Sequence, residues 1–127
     1  MAPQFRKHYT REEARALLPQ LRVWLKRLAQ LQADLVAASA RLGGLMAPGS
    51  DVGGQLVNQQ VRAIADLEEV LREFRRREIQ IKDLERGLVD FPAIIGGKEV
   101  FLCWEQEEED IEFWHDLDAG YAGRERL

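Results

Sequence analysis

From Ala14 onward, apolar residues recur in alternating steps of three and four: Ala14, Leu17, Leu21, Trp24, Leu28, Leu31, Leu35, Ala38, Leu42 and Leu45. An unbroken seam of this length restricts the first third of the chain to a long helix in a coiled coil or helical bundle. Leu18 and Leu25 widen the stripe near its start, which suits packing against more than one neighbour. The start is marked by Thr10-Arg11-Glu12-Glu13, a capping box in which Thr10 and Glu13 exchange side-chain-to-amide hydrogen bonds. Tyr9 and Ala14 sit where a hydrophobic staple forms. Pro19 removes an amide donor, so the reading is helix one over 10–46 with a kink, or a short helix ending, at Pro19.

Gly43 and Gly44 loosen the end of this helix, and Ala47 through Gly54 read as a turn. A second helical pattern follows in Val57, Ile64, Leu67, Leu71, Phe74 and Ile81, flanked by Val61, Val70 and Leu84. Gln60 and Glu78 interrupt its apolar stripe, and Gly87 is the expected C-terminal stop, giving helix two over 55–86. Two such helices are each roughly 45–55 Å long at ~1.5 Å per residue. A hairpin of that length leaves apolar surface uncovered, so a homodimer or higher homo-oligomer through the helical seam is expected.

The period then changes from helical to two. Leu88-Val89-Asp90-Phe91 reads as a short strand stopped by Pro92, and Lys98 through Trp104 as a second strand entered through Gly96-Gly97. Ile111 through Asp116 reads as a third. The expected fold is therefore α+β and mainly α, a single domain over 1–127. It comprises a long antiparallel helical hairpin, a three-stranded antiparallel meander over 88–116, and a loop tail over 117–127.

The chain has 127 residues, 46% of them hydrophobic and 31% charged, enough to fill one core and too few for two ordinary domains. No run is long and apolar enough to span a bilayer, and the first residues lack an apolar signal core, so a cytoplasmic location is expected. Cys103 is the only cysteine, which excludes an intrachain disulfide and a cysteine-rich zinc site. The net charge of −4 is unevenly placed. Residues 1–98 hold 16 Lys and Arg against 12 Asp and Glu, whereas residues 99–127 hold 2 against 10. Glu105 through Asp118 form an acidic segment without one basic residue, and Arg72, Arg75, Arg76 and Arg77 form the densest basic stretch. The simplest reading is mutual neutralisation, within a chain or between subunits. An acidic lobe beside any basic stripe argues against nucleic acid as a partner.

Several words of the sequence together point to a family. They are Tyr9-Thr10-Arg11-Glu12-Glu13-Ala14 with Leu17-Leu18-Pro19, Ile81-Lys82-Asp83-Leu84 with Gly87 through Pro92, Val100 through Trp104, and Phe113-Trp114-His115 with Gly120 through Arg124. Over nearly its whole length the chain resembles the small bacterial family called domain of unknown function 2203, a resemblance that implies no activity. Where that family carries a Gly-Glu turn between its last two strands, this chain has Glu105 through Asp110.

The polar residues that could carry chemistry lie in the last 50 positions. Asp83, Asp90, His115 and Arg124 are the catalytic candidates, and Glu78, Asp83, Asp90 and His115 the candidate ligands of an unspecified divalent metal. Convergence at the helix–sheet junction would make them an oxygen-and-nitrogen metal set, or an acid–base pair beside an anion-holding arginine. Each also has an ordinary structural role: Asp90 satisfying amides or pairing with Arg124, Asp83 pairing with Arg86, Glu78 setting register. Cys103 reads as a small buried hydrophobe. Whether it shares a sheet face with His115 depends on the register across the acidic turn. No P-loop, dinucleotide fingerprint, His-Glu-x-x-His helix or Gly-x-Ser-x-Gly elbow is present, and no cofactor is called for. The leading functional expectation is a homo-oligomeric interaction or assembly module without catalysis. The alternatives are a small metal-binding or hydrolytic protein, and an adaptor that recognises a basic protein partner through the acidic segment.

Overall fold

A computed structural model of the chain describes residues 2–45 and 54–127. Two helices, α1 (Arg11–Leu45) and α2 (Gly54–Arg76), precede five strands: β1 (Gln80–Asp83), β2 (Leu88–Ile95), β3 (Lys98–Glu105), β4 (Phe113–Asp116) and β5 (Glu125–Arg126). The strands form one sheet in chain order, antiparallel throughout. The expected helical hairpin and antiparallel meander are both present, but the sheet has five strands rather than three. The turn expected over Ala47–Gly54 lies outside the described residues except for Gly54, which opens α2. Among the described residues no helix is long and apolar enough to cross a membrane.

The capping box forms as the sequence requires. The Glu13 amide donates to Thr10 Oγ1 at 3.1 Å, and the Thr10 amide donates to Glu13 Oε1 at 3.0 Å. Tyr9 and Ala14 are both buried in the core. α1 then runs through Pro19 without a break. Arg15, whose carbonyl loses its partner there, is exposed on the same side as Pro19, so water can replace the missing donor. The deepest residues of α1 are Ala14, Leu18, Leu21, Leu25 and Leu28, while Leu17, Trp24 and Leu35 are only half-buried. Leu18 and Leu25 thus belong to the main contact face rather than its margin. The wider stripe lets α1 pack on the sheet with one edge and on α2 with the other, where Trp24 and Phe74 rings approach to 5.6 Å.

The second helix ends ten residues before the expected Arg86. Ile79 donates its amide to the Phe74 carbonyl at 3.1 Å, and Glu78 donates to the Arg75 carbonyl at 3.0 Å, the two bonds of a Schellman cap. Glu78 occupies the left-handed position (φ 59°), and Phe74 and Ile79 make the apolar contact that seals the cap. Ile81 therefore lies on β1 instead of extending the helical stripe. Gly87 (φ 64°) serves the turn into β2, where any Cβ would strike the Gln106 side chain.

Pro92 does not stop β2. Its carbonyl accepts from the Tyr9 amide at 2.7 Å, so the side of Pro92 that lacks a donor faces the N-terminal arm, beyond the last β1–β2 pair, Gln80 with Asp90. The Gly96-Gly97 turn, with both φ positive, closes the β2–β3 hairpin as expected. The tail is more ordered than a loop: Tyr121–Gly123 make one 3₁₀ turn, and β5 pairs with β4.

Candidate functional site

Alternation along β2 and β3 separates two faces. Val89, Phe91 and Ala93, with Val100, Leu102 and Trp104, enter the core shared with α1 and α2. The intervening residues Asp90, Phe101 and Cys103 project to the opposite face. The two-residue turn at Gly96-Gly97 sets Asp90 directly across from Cys103. On the other side of β3, Phe101 pairs with His115 and Cys103 with Phe113, so His115 and Cys103 share that face. This settles the register question that the acidic turn leaves open in the sequence.

The result is a buried polar cluster whose neighbours on this face include the apolar Leu88 and Phe101, with Glu99 and Glu105 towards the ends of β3. Asp90, Cys103 and His115 are 2%, 1% and 3% exposed, and one ligand-type atom from each lies within 4.8 Å of the others. His115 Nδ1 is 2.8 Å from the Asp116 carbonyl, which can only accept, so this nitrogen carries a proton. His115 Nε2 is 3.0 Å from Asp90 Oδ2, and that contact also needs a proton, carried by one partner or the other. Asp90 Oδ1 has no hydrogen-bond partner. Burial pushes the Asp90 carboxyl above the usual carboxylate range, against the opposing pull of His115, Cys103 and Lys82. Burial and the neighbouring Asp90 push the Cys103 thiol up to about 12.

Two thin coverings close this face. From the N-terminal side, Phe5 packs on Phe101 at 5.4 Å between ring centres, and Phe101 packs on His115 at 5.6 Å. Glu99 holds this arm by accepting the amides of Gln4 and Phe5 and by contacting His8 Nε2 at 2.7 Å. From the C-terminal side, Leu117, Ala119, Gly120 and Tyr121 roof a cavity of about 180 Å³, whose floor includes Asp90, Cys103 and His115. Lys82 stands at its edge.

A family model described as an uncharacterized conserved protein, DUF2203, matches residues 7–127. The chain belongs to the DUF2203 family. No curated protein and no solved structure matches it. The matched stretch contains every residue of the cluster.

Within this DUF2203 chain, the fold brings together only some of the residues singled out by sequence. Asp90 and His115 meet, on the face away from the helices rather than at the helix–sheet junction. Asp83 is elsewhere, its Oδ1 accepting the Arg86 amide at 3.2 Å in the β1–β2 turn. Glu78 is a helix cap whose Oε1 accepts the amides of Arg6 and Lys7, each at 2.9 Å. Arg124 adjoins Cys103, yet its charge is spent on Glu108 at 3.1 Å and Glu105 at 4.0 Å, while its guanidinium stacks on Phe113 and Tyr121. Half of the acidic segment is paired within one chain, through Glu105, Glu108, Asp110 and Asp116, while Glu107, Glu109, Glu112 and Asp118 make no ion pair among the described residues. Asp110 meets Arg11 and Arg15, and Asp116 meets Lys98. The arginine cluster does not take part, because Arg75, Arg76 and Arg77 pair with Glu68 and Glu73 of their own helix.

Cys103 is the member of the cluster that residue-type reasoning assigned to the core. A signal for it existed: counting back from the Gly96-Gly97 turn places Cys103 opposite Asp90, provided the strand continues through Pro92. The chemistry open to the cluster follows from its geometry. A nucleophilic thiol is disfavoured, because the thiol is held protonated and both His115 nitrogens are already engaged. A metal ion that displaced the thiol proton and the proton between His115 Nε2 and Asp90 would instead meet a thiolate, an imidazole and a carboxylate, the donor types of a transition-metal site.

Proposed function

We propose that this protein binds one divalent transition-metal ion, of which zinc is the reference case, through Asp90, Cys103 and His115. The observation that carries the reading is the convergence of three different donor atoms within 4.8 Å, all buried, with Asp90 Oδ1 left without a partner. Tetrahedral zinc, with bonds of about 2.0–2.3 Å, needs donors roughly 3.2–3.8 Å apart, so rotamer adjustments suffice. Charge supports the same reading. Zn²⁺ that releases two protons to solvent, one from the Cys103 thiol and one from the His115–Asp90 contact, leaves a thiolate, a carboxylate and a neutral imidazole around it, a sum of zero and the least costly state for an enclosed site. His115 Nδ1 bonded to a carbonyl is the outer support that metal-bound imidazoles use.

The test is metal content and zinc affinity of the purified chain, beside Cys103→Ser and His115→Ala. Near-stoichiometric binding by the wild type, with affinity lowered at least tenfold in both variants whose circular dichroism is unchanged, is the expected result. Zinc binding that is absent, or equal in all three, overturns it.

A second reading rests on a different observation. Val57, Val61 and Ile64 are exposed at helical spacing on α2, and a stripe on one helix can cover itself across a two-fold axis with a second copy. This is homo-oligomerisation through the helical hairpin. It is tested by sedimentation at micromolar concentration, where a dimer that dissociates in Val61→Glu supports it and a wild-type monomer rejects it.

A further inference from the structure

Resting on the metal reading, we propose that the ion's fourth position opens into the 180 Å³ cavity and binds a small carboxylate anion, with Lys82 as its counter-charge. Three protein donors leave a tetrahedral ion one ligand short, and the described residues supply no fourth Cys, His, Asp or Glu to this cluster. All three donors form part of the cavity wall, so the vacant direction meets open space rather than packed side chains.

The remaining wall selects the occupant. Leu88, Phe101, Leu117 and Ala119 are apolar and offer no hydrogen bonds from their side chains, and Tyr121 adds a ring whose hydroxyl accepts from Arg124 at 3.1 Å. The charged groups that line the space are Asp90, which would be an ion ligand, and Lys82, whose positive charge is felt at the Asp90 carboxyl. The zinc centre is neutral by its own ligands, and Lys82, exposed with its Nζ 5.4 Å over the Phe101 ring, sets one positive charge at the solvent side of the cavity with no ion-pair partner among the described residues. Arg124 does not add to it, being neutralised by Glu108 and Glu105. A monoanion therefore balances the site, and a short alkyl group matches the walls. A volume of about 180 Å³ holds an acid of a few heavy atoms and excludes larger substrates.

The experiment uses the full chain loaded with Co²⁺, whose visible bands report coordination, and a thiolate-to-cobalt band reports Cys103. Acetate is titrated into it, with acetamide as the neutral counterpart of the same shape. Acetate is expected to shift the visible bands saturably and acetamide to leave them unchanged. Lys82→Ala should raise the acetate dissociation constant roughly fivefold while keeping Co²⁺ affinity within twofold. A thiolate–cobalt spectrum that acetate does not alter overturns the open position and leaves the metal reading intact. Equal shifts with acetamide, or an unchanged acetate affinity in Lys82→Ala, overturn the anion and its counter-charge. A chain that shows no cobalt spectrum removes the metal reading, and this inference with it.

Discussion

The two faces of the sheet are built from the same strands and are both buried at their centres, yet they differ in what covers them. The helix-side face, with Val89, Phe91, Leu102 and Trp104, lies under the long apolar stripe of α1 and under Phe74 of α2. The opposite face lies under an arm of a few residues and a tail with one 3₁₀ turn. A long helix supplies enough aliphatic side chains to fill every gap. The arm and tail offer mainly Phe5, Leu117, Ala119 and Tyr121, too few to fill the space, and polar groups occupy what remains. Apolar packing is thus concentrated on one face, and the buried polar side chains on the other.

The comparison breaks first at Trp104. Truncating this fully buried side chain to alanine should cost about 3–5 kcal/mol in urea unfolding, and a loss under 1 kcal/mol would mean that the helix-side face is not the main core. On the opposite face, His115→Leu should cost roughly 3 kcal/mol, because it leaves the Asp90 carboxyl buried without its partner. Adding Asp90→Leu should recover about half of that loss. Strictly additive losses in this cycle would show that the pair is not coupled.

A smaller effect is expected at Glu78, which holds the arm from a left-handed backbone position. Glu78→Gly should be more stable than Glu78→Ala by about 1 kcal/mol, since both lose the arm contacts and only glycine relieves the backbone. Equal stabilities would refute the cap. The smallest effect concerns pH. The Thr10 amide, with help from Lys7, holds the Glu13 carboxyl below its ordinary value of 4.5. Its support is therefore present above pH 4.5 and is lost as pH falls through the lower folded value. The stability difference between wild type and Glu13→Gln should narrow over that acidic window, and a constant difference would contradict the capping box.

Much of this was legible in the residues, for identifiable reasons. The long first helix, the capping box and the Gly96-Gly97 turn are local patterns, and each forms where the sequence places it, although the face that α1 buries runs through Leu18 and Leu25 rather than Leu17 and Trp24. The end of α2 was hidden because Ile81 falls seven residues after Phe74 and so mimics another helical turn, while the residue that ends the helix is a glutamate rather than a glycine. β5 was hidden because two exposed charged residues carry no strand signal. Pro92 looked like a stop because its donor-free side needs a partner that does not care, the arm at Tyr9, far away in sequence. The site was half legible. Asp90 and His115 stand out as polar residues between apolar neighbours, but adding Cys103 requires the registers of both hairpins, and the second passes through the irregular 106–112 turn. Glu78 and Asp83 stood out for the same reason as Asp90, and proved to be satisfied by backbone amides.

The most direct measurement is anomalous diffraction at the zinc absorption edge, from crystals of the untagged chain grown with one equivalent of zinc. The account expects a single strong peak enclosed by Asp90 Oδ1 or Oδ2, Cys103 Sγ and His115 Nε2, with the His115–Asp90 contact opened around it. Zinc found only at surface carboxylates, with that contact intact at its present 3.0 Å, would contradict the account.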